Sequence, residues 1–207
     1  MRLPLCLLIL AVLLLTGCAE QAEKELPETQ PESKITPEET KVISESEVSE
    51  MESPVLKIES IFNNGGEISS KYTCDGMDVS PPLQISGVPD EAKTVAIIVD
   101  DPDAPVGVFT HWVIWNIPAE KTIVIPENIP KNSEIDEPIK AFQGKNDFGK
   151  IGYNGPCPPS GEHRYFFKVY ALNTELDLRS GITKEELLRA TEGHVIQYAE
   201  LFGVYSR

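Results

Sequence analysis

Thr94-Val95-Ala96-Ile97-Ile98-Val99-Asp100-Asp101-Pro102-Asp103-Ala104-Pro105 decides the fold of this 207-residue chain. Its first six residues are an unbroken apolar run rich in β-branched side chains, which suits a strand buried on both faces. Pro102 and Pro105 then restrict the backbone of the loop that follows to a few conformations. Beyond a glycine-containing turn, His111-Trp112-Val113-Ile114-Trp115-Asn116-Ile117 reads as a second strand, and His163 to Leu172 as a third. Val55 to Ser60 alternates apolar and polar residues. Breaker clusters at Asn64-Gly65-Gly66, Ser80-Pro81-Pro82, Gly87-Val88-Pro89 and Pro126 to Pro130 separate the strands. The best helix signal comes late, where Thr183-Lys184-Glu185-Glu186 fits a capping box and Gly193 breaks the run. A final strand is expected from about Ile196. The pattern predicts a mainly β protein, an antiparallel β-sandwich with one or two short peripheral helices.

The chain before this domain divides in two. Arg2 followed by the apolar stretch Leu3 to Leu15, and then Leu15-Thr16-Gly17-Cys18, has the pattern of a bacterial lipoprotein signal over residues 1–18. Cleavage there would leave Cys18 as a lipidated N-terminus; a plain secretory signal with a chance cysteine is the alternative. The expected location is therefore outside the cytoplasm, anchored to a membrane of the cell envelope or cell surface. Residues 19–54 hold eleven acidic and three basic residues, four prolines, and neither glycine nor an aromatic residue. Such a composition cannot bury enough apolar surface to offset its ordering entropy, so an extended, disordered tether is expected. Residues 55–207 form one domain. They carry 22 acidic and 14 basic residues, a net charge of −8, which argues against nucleic acid as a partner. Any anion bound here must be held by a local pocket.

Four cysteines become two once Cys6 is removed with the signal and Cys18 is modified. Cys74 and Cys157 both lie in loops marked by glycine or proline, and export exposes them to oxidation. A single disulfide between them is expected; two free thiols is the alternative, because a sequence gives no Cα separation.

Side chains two apart on a strand share a face. That places His163, Tyr165 and Phe167 together, with Arg164, Phe166 and Lys168 opposite, and groups His111 with Val113 and Trp115. Two imidazoles and a phenol beside proline-stiffened loops suit a small anion, since all can donate hydrogen bonds. Turn amides at Gly155 and around Gly161 could add donors. Asp101 or Asp103 could fix the tautomer of a histidine and favour its cation. Taken singly, each residue also has an ordinary structural role. Asp101 can cap a turn, Trp112 and Trp115 can be core aromatics, and Arg164 can form a structural ion pair. Cys157 fits half of a disulfide better than a nucleophile, and His194 has no functional company.

The Asp101-Pro102-Asp103-Ala104-Pro105 loop, the strand from His111 to Pro118, and Gly155-Pro156-Cys157-Pro158-Pro159 leading to His163-Arg164-Tyr165 resemble the signature regions of a known family. It is the phosphatidylethanolamine-binding protein family, which includes the Raf kinase inhibitor proteins. Thr73-Cys74-Asp75-Gly76, Ser80-Pro81-Pro82-Leu83 and Asn146-Asp147-Phe148-Gly149-Lys150 resemble its prokaryotic branch. The resemblance covers nearly all of residues 55–207 and implies the same sandwich. It also implies a pocket for phosphate-type groups built from Asp101, Asp103, Ala104, Pro105, His111, Gly155, Pro159, His163 and Tyr165. The function it implies is non-enzymatic binding of a phosphate-type anion or phospholipid headgroup, without cofactor, coupled to regulation or inhibition of a protein partner such as a protease or signalling protein. The alternative is a hydrolase or lyase using a His/Asp pair in the same pocket. Against it, no nucleophile elbow is present, and the His and Asp residues lack the compact spacing of a recognised metal site.

Overall fold

The computed structural model describes residues 54–207; the signal, Cys18 and all of the tether except Pro54 lie outside the described residues. Among the described residues, ten strands and one α-helix follow in order: β1 (Lys57–Ser60), β2 (Gly66–Glu67), β3 (Leu83–Ser86), β4 (Thr94–Asp101), β5 (Phe109–Pro118), β6 (Thr122–Ile125), β7 (Glu134–Ile135), β8 (Ala141–Gln143), β9 (Glu162–Leu172), α1 (Lys184–Thr191) and β10 (Val195–Ser206). A 3-10 turn spans Ser70–Tyr72. One sheet has the order β1-β3-β6, the other β2-β10-β9-β4-β5-β8-β7.

The two sheets face each other across a core to which Ile58, Ile85 and Ile125 contribute from the small sheet and Ile97, Val99, Trp112, Phe167 and Val169 from the large one. The outer face of the large sheet buries Ala96, Ile98, Val113 and Trp115 beneath Leu176, Ile182 and Leu187. Strand β4 is therefore covered on both sides, and all eight of its residues are buried. This accounts for its unbroken apolar run. Burial on this scale, about 1.5–3 kcal/mol for each large aliphatic side chain, is the main source of stability.

Helix α1 starts as its sequence dictates. Glu186 N–H donates to Thr183 Oγ1 at 3.4 Å, and Thr183 N–H donates to Glu186 Oε2 at 2.8 Å. The one or two helices expected resolve into this helix and the 3-10 turn, and the last strand begins one residue earlier than predicted.

Besides register shifts at Val95/Ile97 and Val195/Gln197, two features depart from a regular antiparallel ladder. The sheets are not wholly antiparallel, because β2 pairs parallel to β10 through Gly66↔Gly203 and Glu67↔Val204. There the chain is only passing over the edge of the large sheet, with Gly65 N–H donating to Phe202 O and Ile68 N–H to Val204 O. The second departure decides the site. Val99 pairs with Trp112 and Asp100 with Thr110, so His111 is an extra residue with no partner on β4. This is a β-bulge, which re-aims the side chain it carries.

Candidate functional site

Strand β4 delivers two successive aspartates to opposite faces. Asp100 points outward, where Lys168 Nζ at 2.9 Å and Lys184 Nζ at 3.1 Å neutralise it and Thr110 Oγ1 donates at 3.1 Å. Asp101 points inward and is buried. Its Oδ1 accepts Asp103 N–H at 2.8 Å, which shapes the proline loop, and its Oδ2 lies 2.7 Å from His163 Nδ1. A carboxylate only accepts, so His163 Nδ1 carries the donated proton.

Of the two aspartates proposed to support a histidine, only Asp101 does so. Asp103 faces Arg164 instead, taking Nε at 2.9 Å, Nη2 at 2.7 Å and the backbone N–H at 2.9 Å. These bonds from the guanidinium hold its carboxyl down at about 2. Asp103 therefore buttresses the loop from outside and does not line the pocket. Arg164 makes the structural ion pair expected of its face.

The bulge corrects the placement of His111. Val113 and Trp115 pack under α1, whereas His111 meets Tyr165 edge-on, with ring centroids 5.1 Å apart, on the face that holds Trp112. Phe109 and Phe148 enclose the same imidazole at 5.4 and 5.3 Å. Its Nδ1 donates to the Asn154 carbonyl at 2.7 Å. Burial among these rings pushes the His111 pKa down, outweighing the Asn154 carbonyl and the Asp101 charge. Desolvation thus favours the neutral ring at this position. With both Nδ1 atoms committed, Nε2 of each histidine makes no hydrogen bond among the described residues.

These side chains converge on a pocket of about 230 Å³. Of the residues named from sequence, Asp101, Ala104, Pro105, His111, Pro159 and His163 line it. Tyr165 packs behind His111 instead. Its hydroxyl is buried and unpartnered among the described residues, and burial followed by the Asp101 charge pushes its pKa up, so it remains a protonated donor. Gly155 is also outside the lining. Its N–H donates to Asp78 Oδ1 at 2.7 Å, and a Cβ there would stand 2.1 Å from the Tyr72 carbonyl oxygen, so the glycine permits a close backbone crossing. The amide of Gly161 donates to Arg207 O at 2.8 Å. The Gly155 and Gly161 amides are thus both committed to partners within the protein. His194, at 3.0 Å from Asn173 Oδ1, lies away from the pocket as expected.

Sequence reasoning missed the apolar collar of Val106, Phe109, Phe148 and Pro158, which with Cys157 completes the lining. Phe148 belongs to the Asn146–Lys150 stretch, which resembles the prokaryotic branch of the family. Cys157 is bonded to Cys74, with Cα atoms 5.4 Å apart, so a disulfide forms part of the pocket wall. Among the described residues, no group of three or more His, Cys, Asp or Glu side chains is arranged to hold a metal ion.

Residues 58–206 match the phosphatidylethanolamine-binding protein family. A UPF0098 protein of Archaeoglobus fulgidus is 59% identical over 152 residues, which cover 73% of this chain and 51% of that protein; the chain thus spans about half the length of this relative. Among solved structures, a phosphatidylethanolamine-binding protein homologue from Chlamydia trachomatis is 41% identical at a TM-score of 0.67, covering 75% of this chain and 99% of its own. YbcL of Escherichia coli, described as a member of the mammalian family, is 34% identical at a TM-score of 0.67, covering 73% of this chain and 98% of its own.

Proposed function

From the premise that this chain belongs to the phosphatidylethanolamine-binding protein family, a family known for ligand binding, we propose that its pocket binds a phosphate-type anion or the phosphate of a phospholipid headgroup without transforming it. The observation that carries this reading is the pairing of His163 with Asp101 beside His111, two rings lining one cavity, each held through Nδ1 and with no hydrogen bond to Nε2 among the described residues. A fixed ring with one open nitrogen binds without first having to be ordered. Protonation at Nε2 turns that atom into a charge-assisted donor to an anion. The Tyr165 hydroxyl is a further donor close behind, and the collar of Phe148, Phe109 and Val106 would receive the apolar part of an ester.

Under this proposal the domain works outside the cytoplasm, held to a membrane by lipid on Cys18 through its acidic tether. Occupancy of the pocket regulates a protein partner of the envelope, a protease or signalling protein. Titration of the protein with O-phosphoethanolamine, inorganic phosphate and a panel of phosphoesters, with product analysis, tests the reading. Saturable binding without turnover supports it, and hydrolysis abolished by His163→Ala would replace it with the enzymatic one.

A further inference from the structure

Asp78 is absent from the pocket lining, yet it is hydrogen-bonded to the peptide that holds His111. Its φ of 54° lies in the left-handed region, where aspartate and asparagine are enriched among non-glycine residues. Its Oδ1 accepts Gly155 N–H at 2.7 Å, and its Oδ2 accepts Asn154 Nδ2–H at 2.9 Å and Lys131 Nζ at 2.7 Å. The N–H of Gly155 and the carbonyl of Asn154 belong to one planar peptide unit. That carbonyl takes the Nδ1 proton of His111 at 2.7 Å. A continuous chain therefore runs from the Asp78 carboxylate, through one peptide group, to the imidazole. Hydrogen bonds in series polarise one another, so a carboxylate on the N–H end makes the carbonyl end a better acceptor.

The peptide is also fixed in place. Asn154 N–H donates to His111 O at 3.0 Å, and Asn146 Nδ2 donates to Asn154 Oδ1 and to Gly152 O, both at 2.9 Å. The Tyr72 carbonyl closes the space above Gly155. The two histidines of the pocket are thus held alike. His163 meets its carboxylate directly, and His111 meets one through a peptide group.

We propose that Asp78 is the positioning residue for His111, fixing the Nδ1–H tautomer through the Asn154–Gly155 peptide so that Nε2 is the nitrogen turned to the ligand. The identity of the other nitrogen's partner sets a histidine's tautomer, and outer-shell groups of this kind around metal-bound histidines change affinity about ten- to a hundredfold when removed. The effect on ligand affinity rests on the anion-binding reading above; the tautomer does not.

The full chain labelled with 15N-histidine gives three imidazole spin systems for its three histidines. Long-range 1H–15N spectra above the range of histidine titration should show wild-type His111 in the Nδ1–H form alone. Asp78→Asn should mix in the Nε2–H form, while Lys131→Met, which leaves the carboxylate in place, should keep the wild-type tautomer. Asp78→Gly suits the same backbone angle and serves if the asparagine variant does not fold. A wild-type His111 protonated at Nε2, or an unchanged tautomer in both Asp78 variants, overturns the proposal. Wild-type Nδ1–H that becomes mixed in the variants, in a protein that binds no phosphate, supports the positioning role and removes the anion-binding reading instead.

Discussion

Asp101 and His163, sixty-two residues apart in sequence, meet at 2.7 Å where the end of β4 lies beside the start of β9. Both side chains are almost fully excluded from water, at 4% and 9% exposure. The antiparallel pairing of the two strands puts them there. Asp100 pairs with Phe166, so the next inward residue of β4 and the first inward residue of β9 arrive at the same end of the sandwich.

Breaking this pair from the carboxylate side should be destabilising. Asp101→Ala leaves His163 Nδ1–H and the Asp103 amide without their acceptor in a buried site. Loss of one partner of a buried pair is expected to remove about 3 kcal/mol. Chemical denaturation should show it as a lower midpoint at unchanged slope; a midpoint within error of wild type would mean that the bond contributes nothing net.

His111 predicts the acid sensitivity of the fold. Burial holds its folded pKa below the usual histidine value, so between that folded value and about 6.5 the unfolded chain binds a proton that the folded one refuses. The stability contribution is complete above about 6.5 and is lost as pH falls through the folded value, at up to about 1.4 kcal/mol per pH unit. The melting temperature of wild type should therefore fall more between pH 7.5 and pH 5.5 than that of His111→Gln. Parallel losses in the two proteins would assign the acid sensitivity to other groups.

The Cys74–Cys157 bond closes a loop with a sequence separation of 83. The loop-entropy relation gives about 4.5 kcal/mol for a closure of this size, as an upper expectation. Denatured, unreduced protein cleaved by signal processing and modified at Cys18 should show no reactive thiol, and Cys74→Ser should lower the melting temperature to that of reduced wild type. Two titratable thiols in freshly purified protein would refute the bridge.

The lipid anchor proposed at Cys18 has a direct check in the native host. Cys18→Ser should leave the chain unprocessed or release it in soluble form, since two or more acyl chains hold a protein firmly where none remains to do so. A Cys18→Ser protein that is still cleaved and still membrane-bound through the same linkage would contradict lipidation.

Much of the fold was legible because its elements carry local signals. The apolar run from Thr94 to Val99 gave the doubly covered strand, and Thr183 with Glu186 gave the helix start. Asp101 and His163 were legible as a pair of candidates because strict alternation holds along β9 and at the end of β4. Alternation fails at His111, where one extra residue against β4 moves the ring off the Val113 face, and no residue type in that stretch announces a bulge. Asp103 was misassigned because its partner Arg164 lies sixty-one residues away, on a strand whose register a sequence does not give. Asp78 and Asn154 were missed for a related reason. They act through main-chain groups of Asn154 and Gly155, and main-chain partners leave no mark in composition or spacing.

The pocket between Asp101, His111 and His163 is proposed to bind a phosphate group. Isothermal titration of wild type and His163→Ala with O-phosphoethanolamine at pH 6 tests it most directly. Loss of one charge-assisted bond, about 1.5–3 kcal/mol, should weaken binding roughly ten- to a hundredfold, with the fold intact by circular dichroism. Equal affinity in the two proteins, or no binding by wild type, would contradict the account and leave the histidines as structural residues of a β-sandwich.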